Sequence, residues 1–157
     1  IMVEAFLQKE FNKFILLNSR NVAGAGMRFE LWKAEAGEGE KKKVFACQWG
    51  TGFMWEDETY ARADDGSKKE DVSLLKSTNY LSLDYHAGPT KLGIVSYFQF
   101  QVEEIAAFRN FSDMYFKAKL STRLSFIGKI NFRYDNQPPV TVEKYDIQIT
   151  NGLSFEF

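Results

Sequence analysis

Cysteine is almost missing from this sequence. Cys47 stands alone among 157 residues, so no disulfide can form within the chain. Histidine is as scarce, with His86 the only one. A His-rich metal site is therefore excluded, and a serine–histidine catalytic pair would have to be built on that residue. No sign of charge dominates either. Twenty basic residues stand against 21 acidic ones, leaving nothing to hold a nucleic-acid backbone, so nucleic acid is not an expected partner. Long hydrophobic runs are absent: mean hydropathy is −0.33, and no window approaches the roughly 18 apolar residues of a membrane helix. Amphipathic helical spacing is lacking too, and the three prolines, Pro89, Pro138 and Pro139, all fall in connections.

What the chain has is aromatic residues, 16% of the total and 15 of them Phe, set out with a period of two. The last stretch shows it best. From Tyr145 the odd positions carry Ile147, Ile149, Asn151, Leu153, Phe155 and Phe157, and the even ones Asp146, Gln148, Thr150, Gly152, Ser154 and Glu156. The same alternation predicts an antiparallel meander of about eight strands in one domain covering 1–157. The first strand is MVEAFLQKE, and the second runs from Arg20 to Lys33 with Gly24, Gly26, Arg28 and Glu30 on its polar side. The third places Phe45 to Trp55 opposite Gly50, Gly52 and Glu56. A polar connection from Arg62 to Lys76 leads to a fourth strand around Leu81 to Tyr85, and a fifth runs from Ser96 to Val102. A connection from Glu103 to Asp113 precedes a sixth strand from Phe116 to Phe126, with a turn near Gly128 and a seventh strand from Ile130 to Tyr134.

Alternation alone leaves two architectures open: a transmembrane barrel with its apolar face outward, or a soluble lipid-carrying barrel with that face inward. Three features favour the first. Ten residues from Phe116 to Phe126 at a tilt of about 45° would span roughly 23 Å, close to the ~25 Å apolar band of an outer-membrane barrel, with aromatics at both ends. Glycines 24, 26, 50 and 52 all lie on the polar side, where they make room for long side chains and let a sheet curl. The polar side also carries both signs of charge, which can pair across a lumen but would be costly facing lipid. The expected lumenal charges are Arg28, Glu30, Glu56, Asp84, Lys117, Lys119, Arg123, Arg133, Lys144 and Asp146. The expected lipid-facing residues are Phe116, Leu120, Leu124, Phe126, Tyr145, Ile147, Ile149 and Leu153.

The segments FLQKEFN, SRNVAGAGMRFELW, TNYLSLDY, FRNFSD and RYDNQPP, with YDIQITNGLSFEF at the end, resemble the YdiY-like family of salt-induced outer-membrane proteins, a domain of unknown function. The terminal pattern of Gly152, Phe155 and Phe157 also resembles the signal by which bacterial outer-membrane barrels are recognised for insertion. The resemblance implies an integral outer-membrane β-barrel of a Gram-negative bacterium with a periplasmic C-terminus. The expected partners are outer-membrane lipids, lipopolysaccharide, the barrel-insertion machinery and other outer-membrane proteins. The resemblance supplies no catalytic mechanism, and the expected role is structural or interactive, in membrane integrity or as a subunit of an outer-membrane assembly, with the lumen largely blocked by charged side chains. Ile1 opens without a basic or apolar leader, so either a signal peptide has been removed or the chain is part of a longer protein, with more strands upstream.

Other chemistry is sparse. Asp64, Asp65 and Gly66 lack the spaced ligands of a calcium loop, and GAGMR is followed by no helix, so neither a metal nor a cofactor is expected. Arg109, Lys68 and Lys69 fall in expected outer loops, within reach of lipopolysaccharide phosphates. An enzyme is not expected. A periplasmic lipid-binding barrel, and after it a porin-like channel or a lipid-modifying enzyme using His86, are the competing readings.

Overall fold

The strands of this protein are amphipathic with period two, so one sheet can place most of its apolar side chains on one face and most of its charges on the other. The computed structural model describes residues 1–12, 17–39, 42–60, 70–138 and 143–156. They form β1 (Met2–Asn12), β2 (Leu17–Ala36), β3 (Lys43–Tyr60), β4 (Glu70–Ala87), β5 (Thr90–Gln101), β6 (Phe108–Lys119), β7 (Leu124–Asp135) and β8 (Tyr145–Phe155). All eight pair antiparallel with their sequence neighbours in the order β1 to β8, an all-β up-and-down sheet. Among the described residues no ladder joins β1 to β8, so both are edge strands.

The sheet curls until its polar face meets itself. Tyr80 on β4 donates to Glu4 on β1 at 2.8 Å, Arg109 on β6 reaches Glu58 on β3 at 2.8 Å, and Arg133 on β7 reaches Glu10 on β1 at 3.4 Å. Glycines make this curvature possible. A Cβ on Gly26 would lie 2.5 Å from the Thr51 carbonyl oxygen, and one on Gly52 would lie 2.4 Å from that of Ala25. Gly26 and Gly52 are direct cross-strand partners, so β2 and β3 close on each other through two bare backbones. Gly24, Gly50 and Gly93 leave space for the concave-facing rings of Phe6, Tyr80 and Tyr115.

From β3 onward the connections alternate in length: 61–69, 102–107 and 136–144 lie at one end, and the shorter 88–89 and 120–123 lie at the end that also holds the last residues of β8. Gly88 takes a φ of 53° ahead of Pro89, whose ring forbids a positive φ, giving the type II′ hairpin that suits the twist of β4 and β5.

Several strand boundaries differ from the sequence reading. The stretch from Phe116 to Phe126 is not one strand: residues 120–123 turn between β6 and β7, where the Leu120 and Ser121 amides donate to the Leu124 carbonyl. A four-residue turn is even in length, so alternation keeps its phase straight through it, and the membrane span built on this segment does not exist. Leu120 lies in that turn rather than on a strand face, and so does Arg123. Gly128 is in the middle of β7. Residues 108–113, read as a connection, are the first half of β6. Their alternation is hidden because Asn110 and Ser112 occupy outward positions, where they hydrogen-bond with Ser96. Residues 70–76 likewise belong to β4 and not to a loop, the rest of that expected loop falling outside the described residues. A bulge at Leu31 transfers the outward face of β2 from Phe29 to Trp32.

Gly52→Val should lower the stability of the folded chain by about 3 kcal/mol or more, because the clash is with backbone that cannot rotate away. Gly128→Ala, whose Cβ would meet nothing nearer than 3.7 Å, should leave the urea midpoint followed by circular dichroism nearly unchanged.

Candidate functional site: the concave polar face

Strand register sorts the concave face into rows. Near the end with the longer connections, Glu10, Arg20 and Glu58 are cross-strand neighbours on β1, β2 and β3, and Glu56 follows two residues before Glu58. Lys76 reaches the same place from the neighbouring strand β4, and Arg109 of β6 reaches it from the other side of the curl. Glu56 is the centre. It is fully buried, and it pairs with Lys76, with Arg20 and with Arg109, the last at 2.9 Å. Arg109 also bridges Glu58 at 2.8 Å and Asp135 at 2.5 Å, and Arg20 reaches Glu10 at 3.2 Å. With Arg133 on Glu10, the cluster holds four cations (Arg20, Lys76, Arg109, Arg133) and four anions (Glu10, Glu56, Glu58, Asp135).

This arrangement can lock strands together. Burying one carboxylate unpaired would be prohibitive, but three cations around Glu56 replace the water it has lost. Because those cations come from β2, β4 and β6, the cluster ties opposite walls of the curl together and fills the space between them. Val22 and Met54 pack beside it, nearly fully buried.

Beyond the cluster, toward the tight turns, the concave face opens into a cavity of about 700 Å³. Arg28 lines it, paired with Glu4 and donating to Gln48 at 3.4 Å. Tyr80 and Tyr97 face each other across β4 and β5 with ring centroids 5.2 Å apart, and Phe111 continues the row onto β6. The guanidinium groups of Arg20 and Arg133 lie 5.9 Å and 5.8 Å from the centroid of Phe111.

Of the charges expected on this face, Glu56 sits at the centre of the cluster, Arg28 lines the cavity and Arg133 meets Glu10. Asp84 accepts from the Tyr115 hydroxyl at 3.0 Å, and Lys117 pairs with Glu156 at 3.2 Å, both near the tight-turn end. Glu30 and Lys119 share that end of the face in register but are exposed. Asp146 is opposite Arg133 on the edge strand β8, and Lys144 precedes that strand; both are exposed. Arg123, in its turn, belongs to neither face. Arg109 is a correction: it was expected in an outer loop and instead points into the cluster. Lys68 and Lys69 lie outside the described residues.

On the convex face Phe116, Leu124, Phe126, Tyr145, Ile147, Ile149 and Leu153 follow each other in register across β6, β7 and β8. Gly152 and Phe155 lie on β8, Gly152 on the concave side and Phe155 on the convex side, while Phe157 is outside the described residues. His86 is half-buried opposite Val44 and Lys91.

Glu10, Arg20, Glu58, Lys76 and Arg109 were missed as site residues. Each is in phase with a neighbour on the polar side: Glu10 with Glu4, Arg20 with Arg28, Glu58 with Glu56, Lys76 with Tyr80, and Arg109 with Lys117. Glu58, Lys76 and Arg109 fall beyond the apolar faces that bound the expected strands, while Glu10 and Arg20 stand at the ends of theirs.

Glu56→Gln should destabilise the chain by about 3 to 5 kcal/mol, since it leaves three buried cations short of a partner. Glu56→Leu combined with Lys76→Met removes one charge of each sign and should recover a large part of that loss. Urea midpoints of the two variants check this.

No curated protein and no solved structure matches the chain. The family model described as "Protein of unknown function, DUF481" matches residues 1–157, the whole chain. The chain therefore belongs to that family, which contains the YdiY-like salt-induced outer-membrane proteins.

Proposed function

We propose that this chain is an integral β-barrel of the bacterial outer membrane, with its C-terminus in the periplasm, and that it serves membrane integrity or an outer-membrane assembly rather than catalysis. One observation carries this reading: the partition of side chains is inside out. Among the described residues the buried hydrophobic set is only Leu17, Val22, Met54 and Ala107, while Arg20, Glu56, Glu58 and Lys76 are buried. Meanwhile Phe53, Trp55, Ile149 and Leu153 are each more than half exposed. A water-soluble domain has its apolar side chains inside, and exposed apolar patches on soluble monomers rarely exceed a few hundred square ångströms. Hydrocarbon around the convex face removes the conflict, and the charges then lie where a small barrel carries side chains that fill its lumen.

The soluble lipid-carrying alternative needs the opposite curvature, with the apolar face enclosing a ligand. That face is convex here. Hydrocarbon also imposes a demand on the edges, because unpaired backbone groups are not tolerated in lipid. In the membrane β1 and β8 are accordingly paired, with each other or with further strands. The ion cluster fills the wall-to-wall space at one end, which favours a blocked lumen over free conduction. Lipid and lipopolysaccharide contact the convex face, and the insertion machinery engages β8.

Two measurements test this. The folded protein should fractionate with outer membranes and migrate differently on a gel before and after heating. It should also aggregate in buffer without detergent, and a monodisperse species there overturns the reading. Cys47 offers an internal reporter, since it shares the convex face of β3 with Phe45 and Trp49. In intact membranes it should react with a small apolar maleimide and resist a charged, membrane-impermeant one, and equal reaction with both would count against lipid contact.

A further inference from the structure

We infer that the concave cavity is a binding site for a neutral, water-soluble oligosaccharide. The floor of the cavity is the aromatic row of Tyr80 and Tyr97, set side by side on β4 and β5 by direct cross-strand pairing. Tyr80 can lie flat there only because Gly50 beside it has no side chain: a Cβ at that position would stand 2.0 Å from the ring. The Tyr80 hydroxyl is engaged by Glu4, whereas that of Tyr97 has no hydrogen bond among the described residues.

Polar groups without partners flank the row. Arg28 Nε and Gln99 Oε1 are both buried and make no hydrogen bond among the described residues, one an unmet donor and the other an unmet acceptor. Buried polar atoms of this kind are rare, and each is met by a group of the complementary kind. A hydroxyl can serve either one, accepting from Arg28 Nε or donating to Gln99 Oε1. Pyranose rings present such hydroxyls at their edges and apolar C–H faces that stack on aromatic rings.

Charge narrows the class. The acids lining the cavity are Glu4, Glu10 and Asp113 and the bases Arg20, Arg28 and Arg133, so the lining has no net charge to select an anion or a cation. The volume, about 700 Å³, falls within the ~300–1,000 Å³ range of small-molecule sites. Position narrows it again, because the cavity is on the concave face, away from the apolar convex surface. A sugar tethered to a lipid would have to draw its acyl chain past the charged lining. The site therefore suits a free saccharide.

The test uses the full chain folded in detergent, titrated with maltotriose, cellotriose and tri-N-acetylchitotriose by calorimetry and by saturation-transfer NMR, with glycine betaine as the zwitterionic comparison and lipopolysaccharide vesicles as the lipid-linked one. At least one trisaccharide should bind and glycine betaine should not. Tyr97→Ala should weaken that binding by about tenfold, as expected for the loss of one stacking platform. Tyr97→Phe, which keeps the ring, should bind more tightly than Tyr97→Ala, and Gln99→Leu more weakly than the parent. Circular dichroism of each variant separates lost binding from lost folding. The inference is overturned if none of the three sugars binds, if only glycine betaine or lipopolysaccharide vesicles bind, or if folded Gln99→Leu and Tyr97→Phe and Tyr97→Ala all bind like the parent. The cavity belongs to the curled sheet whatever surrounds it, so a chain that stays dispersed without detergent would refute the membrane reading and leave this titration valid.

Discussion

Glu56 cannot be buried alone, and much of this molecule is arranged around that constraint. A carboxylate without water needs cations at contact distance, and here they arrive from three strands, through Lys76, Arg20 and Arg109. Arg109 is the member that crosses the curl. It comes from β6, meets β3 through Glu56 and Glu58, and takes in Asp135 of β7 on the way. A flat sheet could not bring β3 and β6 together, so the ion cluster and the curvature require each other. The cluster contributes position more than net stability, since buried pairs return little more than their desolvation cost.

Glycine is the second half of the same arrangement. At Gly26 and Gly52 two strands approach through bare backbone, and at Gly50 a missing side chain lets Tyr80 lie down and reach Glu4. Glu4 also receives Arg28, so β1 is held to the inner surface by a tyrosine from β4 and an arginine from β2. Arg28 is on the strand that β1 already pairs with, whereas the Tyr80 contact lies beyond the reach of that backbone ladder. These contacts explain how a strand with one unpaired edge is still fixed against the rest of the sheet.

The convex face is less uniform than its aromatic content suggests. Thr51 donates to Asn79, which donates to Ser77, and Asn110 and Ser112 form a similar group with Ser96. Each group satisfies itself within the sheet, which makes polar atoms tolerable on an apolar surface. The same residues interrupt the hydrophobic alternation. That is why the first half of β6 reads as a connection.

What the sequence determined by itself was the class of the fold and the identity of its two faces. Period-two alternation in the stretches around Phe45–Trp55 and Tyr145–Phe155 is a local consequence of backbone pleat, and it needs no partner strand to be legible. The positions of Gly24, Gly26, Gly50 and Gly52 on the polar side already indicated curvature. Three things were decided only by tertiary structure. The turn at 120–123 is invisible to periodicity because an even loop preserves phase, and only pairing of β6 with β7 reveals it. Arg109, Lys76 and Glu56 lie far apart in sequence, and which charges meet depends on the register of six ladders and on how tightly the sheet curls. The cavity, finally, is the space left over by that curling, a property of distances between strands that no single strand encodes.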